Sequence, residues 1–217
     1  SMLQQQALEN SLVEKELLIK EVHHRVKNNM QVISSLLSIQ AEGAGDSAYS
    51  SLLNESQQRI KSMALIHETL YQSDDLLKID FQEYIELLTN SLSRSYVIPG
   101  VSVFVDVNVA NVVLDLETAV PCGLIINELV SNSLKHAFHD KDETGIIQID
   151  FVTDDCCFDL RIADNGSGLP AGFDLTKNTS MGLEIVTILT GQLEGTLSAD
   201  NDEGAVFQIR FPRSTNE

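Results

Sequence analysis

The run Asn127-Glu128-Leu129-Val130-Ser131-Asn132-Ser133-Leu134-Lys135-His136-Ala137-Phe138 spaces Glu128, Asn132, Lys135 and His136 so that a helix would carry them on one face. Those groups suit a metal-bound phosphate. The amide oxygen of Asn132 is a hard ligand for magnesium, and the Glu128 carboxylate one turn earlier can hold a metal-bound water or accept a proton. Lys135 and His136 can meet phosphate oxygens. A plain solvated helix face has the same spacing. Asp164-Asn165-Gly166-Ser167-Gly168 begins where an apolar strand ends. Gly166 and Gly168 permit close approach of a ligand, and a partly shielded Asp164 can accept a hydrogen bond from an exocyclic amine such as that of adenine. An ordinary strand-ending turn uses the same residues. Ser180-Met181-Gly182-Leu183 then opens a helix, and the unpaired amides there, set by Gly182 and Leu183, attract phosphate. The three signals follow one another on helix, strand end and helix start, where one nucleotide could touch all three.

A different chemistry is written near the N-terminus, in Glu21-Val22-His23-His24-Arg25-Val26-Lys27-Asn28-Asn29. With Val22 set at zero, the apolar positions Ile19, Val26, Ile33 and Leu37 centre about 40° round the helix, His23 lies roughly 60° from that centre and His24 roughly 160° from it. His24 is therefore expected to face solvent with Lys20, Lys27, Asn28 and Gln31, in a setting favourable to phosphate. Asn28, one turn on, could fix which imidazole nitrogen carries the proton and leave the other free to attack.

Two kinds of periodicity position these groups. From Leu3 to about Gln40, and again from Leu52 to Tyr71, apolar residues recur three and four apart, with a break at Glu42 to Ser47. This predicts an antiparallel helical hairpin whose apolar stripes are too wide for two helices, so a homodimer closing a four-helix bundle is expected. The second half alternates. Asp80 and Glu83 have capping-box spacing ahead of a helix over Phe81 to Tyr96, ended by Pro99-Gly100. A strand with Val101, Val103, Val105 and Val107 follows, then a helix from Asp115 to Ala137. Strands are expected at Ile146 to Val152 and Phe158 to Ala163, a helix from Gly182 to about Thr190, and strands at Thr196 to Ala199 and Val206 to Phe211. The fold class is α+β, with a mixed sheet covered by helices on one face. The domains are a helical hairpin over 3–75 and an α/β sandwich over 79–213, with a boundary between Ser73 and Lys78.

The 217 residues carry 32 acidic against 14 basic side chains, a net charge of −18 that repels nucleic-acid phosphates and anionic membranes. No apolar run approaches the roughly 20 residues of a membrane helix. No nucleic acid and no direct membrane contact is expected, and Cys122, Cys156 and Cys157 read as small core residues of a reducing, cytoplasmic compartment. Ser1-Met2 ahead of an internal start is expected to mark a piece of a longer chain whose sensing part lies upstream.

Together these boxes resemble the ATP-binding fold shared by histidine kinases, type II topoisomerases, mismatch-repair ATPases and a heat-shock chaperone. Glu128 to Asn132 is similar to its N box, Asp164 to Gly168 to its first glycine box, Ser180 to Leu183 to its second, and Glu203-Gly204-Ala205-Val206-Phe207 to its last, where a threonine often stands in place of Ala205. The helix around His24 resembles the H-R-x-x-N phosphoacceptor motif of the histidine kinases grouped with the HWE kinases, which have a dimerisation and phosphotransfer hairpin at this place. The resemblance implies an ATP- and magnesium-dependent kinase that phosphorylates His24 and passes the group to an aspartate on a response-regulator receiver domain. In the commoner histidine kinases an acid follows the acceptor histidine; Arg25 stands here, so the base is open. Two other readings share the architecture: an ATP-hydrolysing dimeric switch in which Glu128 activates water, and a phosphotransfer protein without ATP binding.

Overall fold

The computed structural model describes residues 2–43, 47–72, 81–96, 100–138, 144–177 and 180–213, with some side chains of the first two helices left aside. The chain divides into two compact units, Ser1–Leu76 and Leu77–Glu217. The expected boundary between Ser73 and Lys78 lies outside the described residues, as does Asp80 of the expected capping box.

The first unit is a pair of long helices, α1 (Met2–Gly43) and α2 (Ser47–Gln72), packed along one another. The side of α1 that meets α2 carries Lys27, which pairs with Glu68 of α2, then half-buried Met30 and Leu37 and buried Ser34 and Ala41. Gln57 of α2 donates to the Ser34 carbonyl at 3.2 Å and to Ser38 Oγ at 2.6 Å. On the same angular scale this seam centres near 100°, not 40°. A second apolar face, with Val22, Ile33, Leu36, Val32 and Ile39, is exposed within the single chain, Leu36 by 55% and Ile39 by 66%. The single stripe expected from the sequence is thus two stripes, and Lys27 faces α2 instead of sharing the far side with His24.

In the second unit α3 (Phe81–Ser95), α4 (Leu116–His136) and α5 (Met181–Gln192) cover one face of a five-stranded sheet. The strands are β1 (Val103–Ala110), β2 (Gly145–Thr153), β3 (Cys157–Asp164), β4 (Thr196–Asn201) and β5 (Ala205–Pro212), in the order β1-β2-β3-β5-β4. Only β1 and β2 are parallel, so a crossover is needed between them, and α4 lies in it. Strand alternation sends Ile147, Ile149, Phe151, Leu160, Ile162, Phe207, Ile209 and Phe211 into the core. There they meet Tyr84, Ile85 and Leu88 of α3 and Ile125, Ile126 and Leu129 of α4, all buried. Asp115 caps α4, accepting the Thr118 N–H at 2.9 Å, and the polar face and the strand ends are set against each other by this layer.

The cysteines depart from expectation. Cys122 is buried in α4, but Cys156 is exposed and Cys157 half-exposed on the turn between β2 and β3. A tight turn places its residues outside the layer whatever their polarity. No helix of the described residues is long and apolar enough to cross a membrane.

Candidate active site

The polar side of α4 runs from buried to solvated along the helix. Glu128 is 4% exposed and accepts from Asn127 Nδ2 at 3.2 Å, while Asn132 is half-buried one turn further on. A carboxylate is rarely held so deep without a polar purpose, since its desolvation has to be offset. Lys135 is half-buried with its ammonium 5.5 Å from the centre of the Tyr96 ring, and Ser131 Oγ donates to Tyr96 Oη at 3.1 Å. The end of α3 therefore steadies Lys135. His136 is exposed at the last turn of α4.

Asp164 closes β3 and is buried, with three donors on its carboxylate and one acceptor position of Oδ2 left over. Oδ1 accepts the N–H of Gly166 at 3.0 Å and of Ala205 at 3.1 Å, and Oδ2 accepts Ser133 Oγ–H at 2.7 Å. Two strands and α4 thus converge on one carboxylate. A Cβ on Gly204 would stand 1.9 Å from the Asp164 carbonyl oxygen, so glycine is required where β5 begins. Gly166 has its closest approach to the protein itself: a Cβ there would lie 2.4 Å from the Ala137 carbonyl oxygen. Gly168 adopts a positive φ of 75° beside Asn201, whose side chain binds the Leu169 N–H at 2.7 Å. The expected room at these two glycines is used to dock the turn on α4 and β4.

Ser180 caps α5, its hydroxyl accepting the Leu183 N–H at 3.4 Å. Leu183 turns its side chain into the core, and its amide already has this partner, so a phosphate there would replace the cap. Gly182 is the point of contact with α4. A Cβ at Gly182 would be 2.8 Å from Glu128 Oε2 and 3.8 Å from the side-chain oxygen and nitrogen of Asn132. The start of α5 and the two acidic and amide oxygens of α4 therefore form one cradle. In the first unit His24 is exposed on α1, with Asn28 exposed one turn on, and Arg25 is bound to Glu21 at 2.9 Å. The side chain of His23 lies outside the described residues.

Residues 21–96 match the family described as histidine kinase, and residues 117–215 match the histidine kinase-, DNA gyrase B- and HSP90-like ATPases. The chain belongs to the histidine kinases. Over 192 residues it is 34% identical to the sensor histidine kinase PdtaS of Mycolicibacterium smegmatis, covering 87% of this chain and 38% of that one. With PdtaS of Mycobacterium tuberculosis it shares 34% over 210 residues, 94% of this chain and 41% of the relative. The chain thus spans about two fifths of the length of these relatives. The histidine kinase domain of the blue-light activated histidine kinase EL346 from Erythrobacter litoralis superposes with a TM-score of 0.66 at 24% identity, covering 92% of this chain and 93% of that one. That likeness is one of fold.

Against this kinase fold, the residues that sequence reasoning passed over are Ser133, Tyr96 and Ser131. Each is a small or aromatic polar residue next to a noticed one, and only contact across elements gives it a role. Ser131 and Ser133 had one legible signal, hydroxyls flanking Asn132 in an otherwise apolar stretch of the helix.

Proposed function

We propose that the chain is the catalytic core of a sensor histidine kinase, which uses ATP to phosphorylate His24 and hands the phosphoryl group to an aspartate of a response-regulator receiver domain. Residues 3–75 would serve as the dimerisation and phosphotransfer hairpin and residues 79–213 as the ATP-binding domain, acting in the cytoplasm as a homodimer. The observation that carries this reading is the cradle at Gly182, where a helix N-terminus meets Glu128 and Asn132 while Asp164 stands buried at the neighbouring strand end.

In this reading Asp164 accepts the exocyclic amine of adenine, with Ser133 and two backbone amides fixing its rotamer. Gly166 and Gly168 shape the turn beside the base, and Lys135 and His136 neutralise phosphate oxygens. The amide oxygen of Asn132 and the carboxylate of Glu128 are hard donors that fit Mg2+; Asn132 would hold the ion and Glu128 would hold a water beside it. The ion would supply charge neutralisation at the β- and γ-phosphates. The start of α5 at Gly182 and Leu183 adds amides to the same oxygens.

At His24 the unprotonated imidazole nitrogen attacks the γ-phosphorus in line; an N–P bond forms as the bond to the β,γ-bridging oxygen breaks, and ADP leaves. Asn28 orients the ring, and the second nitrogen loses its proton after transfer. Arg25, already bound to Glu21, stands where the commoner kinases have an acid, so the residue that follows His24 is not the base. Positioning provides most of the rate.

The test is γ-labelled ATP with His24→Gln and His23→Gln. Label that is stable to base, lost in acid, absent from His24→Gln and retained in His23→Gln is expected. Phosphate release with no label on the protein would favour an ATP-hydrolysing switch and overturn the proposal.

A further inference from the structure

We propose that Asp154, Cys156 and Cys157, on the turn between β2 and β3, form a surface site for a thiophilic divalent cation of the zinc or cadmium class. The site stands at the other end of β3 from Asp164, roughly 23 Å along the strand, and nothing in the kinase reaction uses it.

The turn is built before any ion arrives. Asp154 Oδ1 accepts the N–H of Cys156 at 2.9 Å and of Cys157 at 2.8 Å, and Cys156 Sγ lies 3.2 Å from the same oxygen. The two sulfurs are 3.1 Å apart, and one donor atom from each of the three residues lies within 4.8 Å of the others. Further bonds clamp the backbone: Asp154 N–H to the Cys157 carbonyl at 3.0 Å, Thr153 Oγ1 to the same carbonyl at 3.1 Å, and Arg213 N–H to the Cys156 carbonyl at 2.9 Å. A tetrahedral ion with metal–sulfur bonds of about 2.3 Å wants its sulfurs about 3.7 Å apart. Rotating two surface thiols outward by a fraction of an ångström each meets that, and solvent can take the fourth position.

Charge also balances. Two thiolates and one carboxylate against a divalent ion leave one negative charge, and Arg210 Nη2, 2.9 Å from Asp154 Oδ2, cancels it. Binding therefore forms two metal–sulfur bonds and releases two protons to water, with no change of oxidation state.

The experiment titrates the whole chain with Cd2+ under a non-thiol reductant and follows the thiolate-to-cadmium charge-transfer absorbance. Saturation at one ion per chain is expected, with the band abolished in C156S/C157S, where buried Cys122 remains as the internal control. Asp154→Asn keeps an oxygen for the two turn amides but removes the charge, and is expected to weaken binding at least as much as the roughly tenfold that loss of a supporting contact costs. No band, a band that survives in C156S/C157S, saturation at one ion per two chains, or an Asp154→Asn variant that binds as tightly as the wild type would each overturn the site as assigned. Thermal melts of the variants matching the wild type exclude misfolding as the cause of a lost band.

Discussion

Replacing Gly182 by alanine tests the cradle with one methyl group. The new Cβ would fall 2.8 Å from Glu128 Oε2, short of ordinary contact at 3.4 Å by about 0.6 Å. Glu128 is buried and bound by Asn127, so its carboxylate cannot swing into solvent to make way. The crowding costs about 1 kcal/mol, the low end for overpacking, because the atom displaced is the tip of a side chain. Better helix propensity offsets about half of that in α5, and a melting temperature lower by no more than about 4 °C is expected. The effect on function is larger than on stability. A displacement of about 1 Å in a reacting assembly can cost about 10²-fold, so if Glu128 has the role proposed for it, 0.6 Å there predicts roughly a tenfold slower autophosphorylation at saturating ATP. Gly191→Ala on the same helix is the control, since a Cβ there meets nothing within 4 Å. It should melt at or slightly above the wild type and label at the same rate. Initial rates of acid-labile labelling, beside melts of both variants, decide the matter. A Gly182→Ala variant that labels at the wild-type rate would refute the placement of Glu128 at the reacting phosphate.

Asp164→Asn keeps an oxygen for the Gly166 and Ala205 amides and turns an amine toward the Ser133 hydroxyl, which can accept. Its melt should therefore stay close to the wild type while ATP affinity, read by displacement of a fluorescent nucleotide, falls at least tenfold, about 1.4 kcal/mol; unchanged affinity places the adenine elsewhere. Leu36→Glu puts a charge on the exposed apolar face of α1, and light scattering should find a dimer become a monomer; a variant that remains a dimer would show that the pairing uses another surface. Tyr84→Phe removes a buried hydroxyl that has no hydrogen-bond partner among the described residues, and whose phenol burial pushes well above its usual pKa. An unsatisfied buried group costs about 1–3 kcal/mol, so the variant should melt several degrees higher, and a lower melting temperature would contradict this.

Local chemistry was legible because it is written in short spacings. The polar face of α4, the strand-ending Asp164 and the helix start at Ser180 each follow from i, i+3 and i, i+4 geometry or from turn residues, and the helix from Asp115 to Ala137 was bounded by its cap. The family resemblance rested on the order of those same boxes. Periodicity had less to say about α1, because an average direction merges two apolar stripes into one. Only the position of α2 distinguishes the seam at Lys27, Ser34 and Ala41 from the uncovered face at Val32, Leu36 and Ile39. The cysteines failed for the same reason in miniature: composition says small and apolar, whereas a turn closed by Asp154 holds two of them at the surface. Contacts between residues far apart in the chain belong wholly to the tertiary structure. Ser133 with Asp164, Gly204 against the Asp164 carbonyl, and Gly182 against Glu128 join segments 31 to 54 positions apart, and no local rule carries information over that distance. Sequence alone determined which groups could handle a phosphate; packing of α4, α5 and the ends of β3 and β5 decided which oxygens stand buried side by side, since desolvation and steric exclusion act on whatever the fold brings together.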